Sequence, residues 1–190
     1  MLQINNQENI IDFYPNSEWA SQYKLSEHLE KTWDIPICFN DFLKYHRSFS
    51  ICGLSVGFKL LQCLIENHKN VLPLGKVNIK GAFLGKGIRD SFEYIFKNSE
   101  DNHIKYDPDL KINLKYAQAS QGFYGYIFEF DSLKIETSIK PSVVTSDFVK
   151  SAVMFKNNKL EKKVFRLKQL MFCKKIIPIN SSNICNINFL

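Results

Sequence analysis

Two residues with reactive side chains, His46 and Cys52, lie six positions apart in the stretch YHRSFSICGLSVGFKL, which begins at Tyr45. A neighbouring imidazole lowers the pKa of a thiol and favours the nucleophilic thiolate, and the beginning of a helix acts in the same direction. Cys52 stands immediately before a helix predicted from Gly53, so it meets this requirement. The alternative, which we favour, is a close-packed helix start in which Cys52 is a small buried residue.

The same two side chains are also the best metal ligands that the sequence offers. A zinc site needs at least three protein ligands, and His28, His68 and His103 form no recognisable ligand pattern with His46 and Cys52. The five cysteines include no C-x-x-C pair, so we expect neither a zinc ribbon nor a disulfide framework. We therefore expect no cofactor, with zinc or iron bound through His46 and Cys52 as the alternative.

A second stretch with chemical interest is GAFLGKGIRD, which begins at Gly81. A nucleotide-binding P-loop needs four residues between its first glycine and the G-K pair, and then a Ser or Thr. Gly81 and Gly85 are one residue too close, and Gly87 replaces the required hydroxyl, so the sequence excludes a P-loop. An anion site remains open, because N–H groups at a helix start combine there with the charges of Lys86 and Arg89. The simpler alternative is a tight turn between a strand and a helix.

Hydrophobic periodicity predicts helices followed by a sheet. Apolar residues at helical spacing predict helices over 17–32, 53–67 and 88–97, and a short helix around Phe42. Alternation predicts strands over 76–80, 111–118, 125–130 and 133–139. The polar connection 98–109 is predicted to be irregular, and 143–154 fits either a strand or a helix. The order predicts one α+β domain with N-terminal helices packed on a mainly antiparallel sheet and a C-terminal amphipathic basic helix.

Positive charge is concentrated near the end of the chain. The formal net charge is +6, and residues 150–175 alone carry nine Lys or Arg against the single acid Glu161. We therefore divide the chain into a single α+β domain over 1–156 and a basic amphipathic helix with a tail over 157–190. The apolar face of this helix is predicted to consist of Leu160, Val164, Leu167 and Met171. Such a helix either binds nucleic acid or an acidic partner, or packs on the core with its lysines in solvent.

The sequence shows neither a secretory signal nor a membrane span. The sequence begins without a basic segment followed by an apolar one, which a secretory signal would show. No stretch reaches the ~18 consecutive apolar residues of a membrane span. We therefore expect a cytoplasmic protein without a membrane span, and we expect it to form a homodimer.

The first stretch also carries a likeness to a known family. DFLKYHRSFSICGLSVGFKLLQCLIENH resembles the first signature of the FmdE-like family, which is named after a component of formylmethanofuran dehydrogenase. That signature is a phrase of the type F-H-G-H-x-C-P-G-L-x-x-G-Y-R leading into a helix, and the positions in step are Gly53, Leu54, Gly57, Phe58 and Lys59. AFLGKGIRDSF resembles the family's second phrase, A-C-x-x-D-x-I-Q, and the positions in step are Ala82, Ile88 and Arg89.

The metal ligands that the resemblance implies are mostly missing. In the ungapped match, Arg47, Phe49 and Ile51 replace the His, His and Cys of the first phrase, while Phe83 and Lys86 replace the Cys and Asp of the second. The resemblance therefore implies a degenerate member that has kept the fold and lost the metal. Its pocket, between the Tyr45–Gly57 bend and the Gly81–Arg89 turn, would bind an anion instead.

Three functions stay open at this point. The resemblance implies a non-catalytic accessory or ligand-binding protein, linked to molybdenum- or tungsten-dependent formate-type oxidoreductases. Its implied ligand-binding residues are His46, Arg47, Cys52, Lys86 and Arg89. The first alternative is a module that binds nucleic acid or an acidic partner through the basic helix 158–175. The second is a cysteine enzyme that uses Cys52 and His46. We favour a non-enzymatic role, because the sequence contains no complete catalytic set.

Overall fold

The computed structural model describes residues 18–34, 36–47, 49–68, 76–96 and 103–190. In these ranges helices come first and a mainly antiparallel sheet follows, so the predicted α+β class is confirmed. The helices are α1 (Glu18–Ser21), α2 (Glu27–Trp33), α3 (Phe39–His46), α4 (Ile51–Asn67), α5 (Lys86–Phe96), α6 (Ser146–Lys156), α7 (Lys162–Ile176) and α8 (Ser181–Ile184). The strands are β1 (Val77–Gly81), β2 (His103–Tyr106), β3 (Gly125–Phe130), β4 (Leu133–Ile139) and β5 (Cys185–Phe189).

The sheet has the strand order β2-β1-β3-β4-β5. Strands β1 and β2 are parallel, and α5 lies between them in the chain as the crossover that parallel neighbours require. The remaining neighbours are antiparallel. The strands predicted over 125–130 and 133–139 are confirmed as β3 and β4, and they form a hairpin with Phe130 paired to Leu133 across the turn.

The aromatic residues of β3 form the centre of the core. Tyr126 and Phe128 are fully buried, and Phe92 of α5 packs edge-on against both, with ring centroids 5.5 Å and 5.3 Å away. This T-shaped geometry suits the ring quadrupoles and adds to the gain from burial. Alternate residues of a strand share one face, so the sequence predicts that Tyr124, Tyr126, Phe128 and Phe130 form a stripe in the core. Tyr124 and Phe130 are also buried, which confirms this prediction.

Helix α4 runs through the middle of the molecule. Its side chains are buried on all sides over most of its length, and it contacts α5, α7, β4 and β5. A helix that is apolar all round needs such an enclosed position. Two polar residues, Ser55 and Lys59, are buried within it.

The single helix predicted over 17–32 is wrong within the described residues. The chain forms two short helices, α1 and α2, and Ser17, which the sequence predicts as the cap of the single helix, lies outside the described ranges. Between the helices the backbone turns to pair with the segment before α3, where the Leu25 N–H donates to the Ile37 carbonyl at 2.8 Å. This tertiary pairing replaces the helical hydrogen bonds that local periodicity predicted.

The strand predicted over 111–118 is also wrong. Side chains, not a neighbouring strand, satisfy the Lys115 carbonyl, which accepts hydrogen bonds from Ser138 Oγ at 2.7 Å and Asn186 Nδ2 at 2.8 Å. The two edges of the sheet are instead β2 and β5, which the prediction left as an irregular connection and a tail. Strand β2 is mostly exposed, so no alternation of apolar residues marks it in the sequence.

The C-terminal helices correct one further prediction. The ambiguous segment 143–154 forms α6, capped by Thr145, whose Oγ1 accepts a hydrogen bond from the Phe148 N–H. Helix α7 buries Phe165, Phe172 and Cys173, whereas two members of its predicted apolar face, Val164 and Met171, are exposed. The set with Phe165 and Phe172 and the set with Val164 and Met171 both have helical spacing. The aromatic set is buried because its larger rings remove more apolar surface from water. Residues 157–190 thus supply a packed helix and a strand of the sheet.

None of the helices in the described part of the chain combines the length and the apolar character needed to cross a lipid bilayer.

Candidate functional site

His46 is the last residue of α3, and both ends of that helix are fixed. In the first turn, the Asp41 carboxylate accepts a hydrogen bond from the Cys38 N–H at 2.8 Å, as in a capping box. At the other end, Arg47 adopts the left-handed conformation with φ of 44°, and its N–H donates to the Leu43 carbonyl. The bend that follows turns the chain towards α4.

Helices α4 and α5 cross in backbone contact because small residues meet there. A Cβ on Gly87 would overlap the Ser50 carbonyl oxygen and the Leu54 nitrogen, and a Cβ on Gly57 would overlap the Ser91 side chain. Ser91 Oγ donates to the Gly87 carbonyl at 2.8 Å and so is satisfied inside the crossing. The crossing brings together the stretches that begin at Tyr45 and at Gly81, and we call the region where they meet the corner. Between the helices themselves it leaves no room for a ligand at these positions.

A hydrogen bond between His46 and Asp90 joins α3 to α5 at this corner. Nδ1 lies 2.6 Å from Oδ2, and the two side chains are 1% and 13% exposed. Because a carboxylate only accepts, Nδ1 carries the proton. Burial lowers the pKa of His46, Asp90 opposes that shift, and the charges of Lys86 and Arg166 add to it. The ring is therefore neutral at pH 7, and its buried Nε2 has no hydrogen-bond partner among the described residues.

Three of the predicted ligand-binding residues are cations close in the chain to this pair, and the charge of Lys86 is shown to act on His46. Arg47 directly follows His46 in the chain, and Lys86 and Arg89 lie in the first turn of α5. All three side chains are exposed. The corner therefore presents cations to solvent above a buried, hydrogen-bonded histidine.

Arg166 of α7 is the residue at this corner that sequence reasoning missed. Its Nη1 donates to the Phe49 carbonyl at 2.8 Å, and its guanidinium lies 5.4 Å from the centre of the Phe49 ring. The chain has only three arginines, Arg47, Arg89 and Arg166, among 25 basic residues. Arg47 directly follows His46, Arg89 directly precedes Asp90, and the charge of Arg166 acts on His46, so the scarcity of arginine is the signal in the sequence that could have found Arg166.

Cys52 belongs to the same corner, but it is not set up as a nucleophile. Burial raises the pKa of its thiol to about 12, and the hydrogen bonds of nearby N–H groups and the charge of Arg166 offset this only in part. The Nδ1–H of His46 donates a hydrogen bond to Asp90, and the described residues show no hydrogen bond between His46 and Cys52. The pair is thus a neutral thiol and a neutral imidazole at pH 7.

No metal cluster is found at the corner in the part of the chain that the structure describes. Across the ranges that the structure describes, no three His, Cys, Asp or Glu side chains are grouped as a metal ion would require. A cavity of about 560 Å³ lies elsewhere, between residues 22–27, one face of α4 and residues 177–181. None of the five predicted ligand-binding residues lines this cavity. Because Arg47, Lys86 and Arg89 are exposed, a ligand held by them would bind at the surface.

Comparison with known proteins gives no assignment. No family model matches the chain, and no curated protein matches its sequence. The resemblance to the FmdE-like family thus depends only on the two stretches that carry it. The fold and the corner define an α+β protein with a cationic surface over a buried His–Asp pair.

Proposed function

We propose that the protein is a non-catalytic accessory protein that binds an anionic group at the corner formed by the end of α3, the first turn of α5 and α7. One observation carries the proposal: Arg47 and Arg89 are exposed on the two segments that the His46–Asp90 hydrogen bond joins, and Arg166 lies near enough for its charge to lower the pKa of His46. Arginine suits this role because its planar guanidinium binds a carboxylate or phosphate through two parallel hydrogen bonds, which lysine cannot do.

Each residue of the predicted ligand set has a place in this proposal. Arg47, Lys86 and Arg89 are exposed and make the direct contacts with the anion. His46 holds the end of α3 against α5 through Asp90, which keeps Arg47 close to the first turn of α5. Cys52 packs beneath the corner and takes no part in binding.

The ligand is a compact oxyanion, either free or carried by a partner protein. The resemblance to the FmdE-like family suggests a formate-type oxidoreductase dependent on molybdenum or tungsten as that partner. An accessory protein needs no catalytic groups of its own, which agrees with the raised pKa of the Cys52 thiol. A cytoplasmic location and a homodimer stay predictions.

Isothermal titration calorimetry with inorganic phosphate, and separately with formate, tests this proposal on the intact chain. The variant Lys86→Gln/Arg89→Gln removes two cations of the corner, and Lys105→Gln/Lys111→Gln removes two exposed lysines on the side of β2 as a matched control. We expect saturable binding that weakens about tenfold or more in the first variant, because charged hydrogen bonds are lost, and stays unchanged in the control. Equal loss in both variants, or no binding of either anion, would overturn the proposal.

A second candidate function concerns α7. Met171 is 67% exposed and Val164 is also exposed, while Lys163 and Lys175 lie on the solvent side of the same helix. A basic surface with apolar residues fits an acidic partner or nucleic acid. A gel mobility shift with duplex DNA that appears at low salt and is lost at high salt would support nucleic-acid binding. The absence of any shift at low salt would leave only the acidic partner.

A further inference from the structure

Helix α4 buries a lysine among apolar side chains. Lys59 is 3% exposed and stands between Phe58 and Leu60, which are both fully buried. A buried ammonium is usually paired with a carboxylate. Within the described residues Lys59 has no carboxylate at ion-pair distance, and its Nζ donates to the neutral amide oxygen Oε1 of Gln62 at 2.7 Å. Its burial is therefore not explained by a structural ion pair.

Gln62 holds the Lys59 side chain in one orientation. Its own Nε2 donates to the Lys24 carbonyl at 2.7 Å, so its Oε1 must face Nζ. An amide fixed at both ends is a rigid acceptor, and it positions the Lys59 nitrogen without neutralising its charge. This arrangement is typical of a positioned amine and not of a salt bridge.

The positioned amine lies beside a cavity large enough for a small molecule. The cavity has a volume of about 560 Å³, and both Lys59 and Gln62 line it. Small-molecule sites in proteins have volumes of roughly 300–1,000 Å³. Glu66 and Ser181 line the same cavity and are hydrogen-bonded to each other. The cavity therefore contains an amine, a carboxylate and a hydroxyl.

Burial makes this amine more nucleophilic than an ordinary lysine. It lowers the pKa of Lys59 to about 8, although the charges of Glu66 and Cys185 act in the opposite direction. With that pKa about a tenth of the side chain is neutral at pH 7, against less than ~0.1% for a lysine with an unperturbed pKa. Only the neutral amine has the lone pair that attacks a carbonyl carbon.

We propose that this cavity binds a small aldehyde or ketone, which Lys59 holds as an imine. The Nζ lone pair forms a bond to the carbonyl carbon, and the C=O π electrons move to the oxygen. One N–H proton passes to that oxygen, which gives a carbinolamine, and the second N–H proton leaves with the hydroxyl group as water while the C=N bond forms. One amine and one carbonyl thus give one imine and one water, with no oxidant or reductant. Glu66, in the same cavity, is the group that accepts and returns the proton.

Charge does not select the carbonyl compound, because the cavity carries both signs. Lys24 and Lys59 are opposed there by Glu27 and Glu66. The suitable probe is therefore uncharged, and we choose propanal with sodium cyanoborohydride, which reduces an imine to a stable propylamine. The intact protein is treated at pH 7 and digested, and the modified lysines are quantified by mass spectrometry.

The reference residue is Lys31, whose side chain is 75% exposed and lies outside the cavity. We expect Lys59 to be modified about tenfold or more faster than Lys31, in line with its larger neutral fraction. Because the preference depends on the folded cavity, it should disappear in guanidinium chloride. Modification of Lys59 no faster than that of Lys31 in the folded protein would overturn the proposal, as would a preference that survives denaturation.

Two variants separate positioning from simple exposure. Gln62→Leu removes the acceptor, and we expect it to reduce the preference for Lys59 while Lys31 reacts as before. Lys59→Arg keeps a cation but cannot form the imine, and it should abolish the excess labelling of this peptide. Circular dichroism checks that both variants are folded. An unchanged rate at Lys59 in a folded Gln62→Leu variant would contradict the positioning role.

Discussion

The Nδ1 atom of His46 lies 2.6 Å from Oδ2 of Asp90, although the two residues are 44 positions apart in the chain. The contact ties the last turn of α3 to α5 beside the crossing of α4 and α5. Both residues are largely withdrawn from solvent, so the hydrogen bond satisfies groups that would otherwise be costly to bury. The hydrogen bond thus joins the stretch that begins at Tyr45 to the stretch that begins at Gly81, which are separate in the sequence.

Removal of the imidazole should destabilise the protein. We expect His46→Ala to lower the free energy of unfolding by about 2 kcal/mol, because Asp90 loses its donor and a buried ring is removed. His46→Asn keeps an N–H near the position of Nδ1 and should recover a large part of the loss. Urea unfolding at pH 7 measures both variants. Equal losses would show that ring packing, and not the hydrogen bond, stabilises the corner.

The glycine at the helix crossing should tolerate no side chain. Gly87→Ala places a methyl group against the backbone of Ser50 and Leu54, which cannot move without displacing α4. We expect a loss of about 2–3 kcal/mol, as for other overpacked sites. Gly85→Ala is the matched control, because its new methyl group meets only the end of the Phe83 ring, which can rotate. Thermal unfolding of the two variants should differ clearly, and similar melting temperatures would contradict the close crossing.

The sequence predicted the elements that this corner needs, because their signals are local. Apolar spacing identified α3, α4 and α5, and the alternation of 76–80 and 125–130 identified β1 and β3. The aromatic stripe around Tyr126 was placed in the core correctly, since a large apolar face on a strand must be buried.

The errors arose where long-range contacts decide the outcome. Strand β2 has no apolar alternation, and it exists because β1 offers it a parallel edge. Helix α7 has two sets of apolar residues with helical spacing, and tertiary packing, such as that of Phe172 on Phe148 with ring centroids 4.8 Å apart, selects one of them. The hydrogen-bond partner of His46 could not be predicted either, because Asp90 follows a glycine-rich turn that suggested an anion site and not a contact with α3.

Replacement of the buried lysine should stabilise the protein at neutral pH. The pKa of Lys59 is about 8 in the folded protein and ~10.4 in the unfolded chain, so the unfolded state binds more protons between these values. The stability of the native protein therefore falls as the pH drops towards 8, and the full penalty is present below it. We expect Lys59→Met to raise the free energy of unfolding by about 2 kcal/mol at pH 7, after allowing for the lost hydrogen bond to Gln62.

The gain from Lys59→Met should shrink as the pH rises from 8 towards 10.5, because the native lysine is then neutral in the folded state. Guanidinium unfolding at several pH values gives this profile. Lys31→Met, at an exposed position, should show almost no change at any of them. A gain at Lys59 that does not depend on pH would mean that desolvation of the charge is not its cause.

Metal content tests the loss of ligands that the resemblance implies. We predict far less than one zinc or iron per chain in the untagged protein, even after growth in metal-supplemented medium. The reason is that the described residues contain no group of three His, Cys, Asp or Glu side chains at His46, and that the Cys52 thiol is neutral. Inductively coupled plasma mass spectrometry measures the ratio. About one metal ion per chain that is lost in Cys52→Ser would make His46 and Cys52 ligands after all.

The most direct test of the proposed anion site is a nitrogen-15 NMR titration of the intact protein with inorganic phosphate at low ionic strength. We predict saturable shifts of the amide signals of Arg47, Lys86 and Arg89, with no comparable change at Lys105 and Lys111. Shifts confined to the corner would support a built oxyanion site. Shifts spread evenly over exposed lysines, or no saturation, would contradict the account.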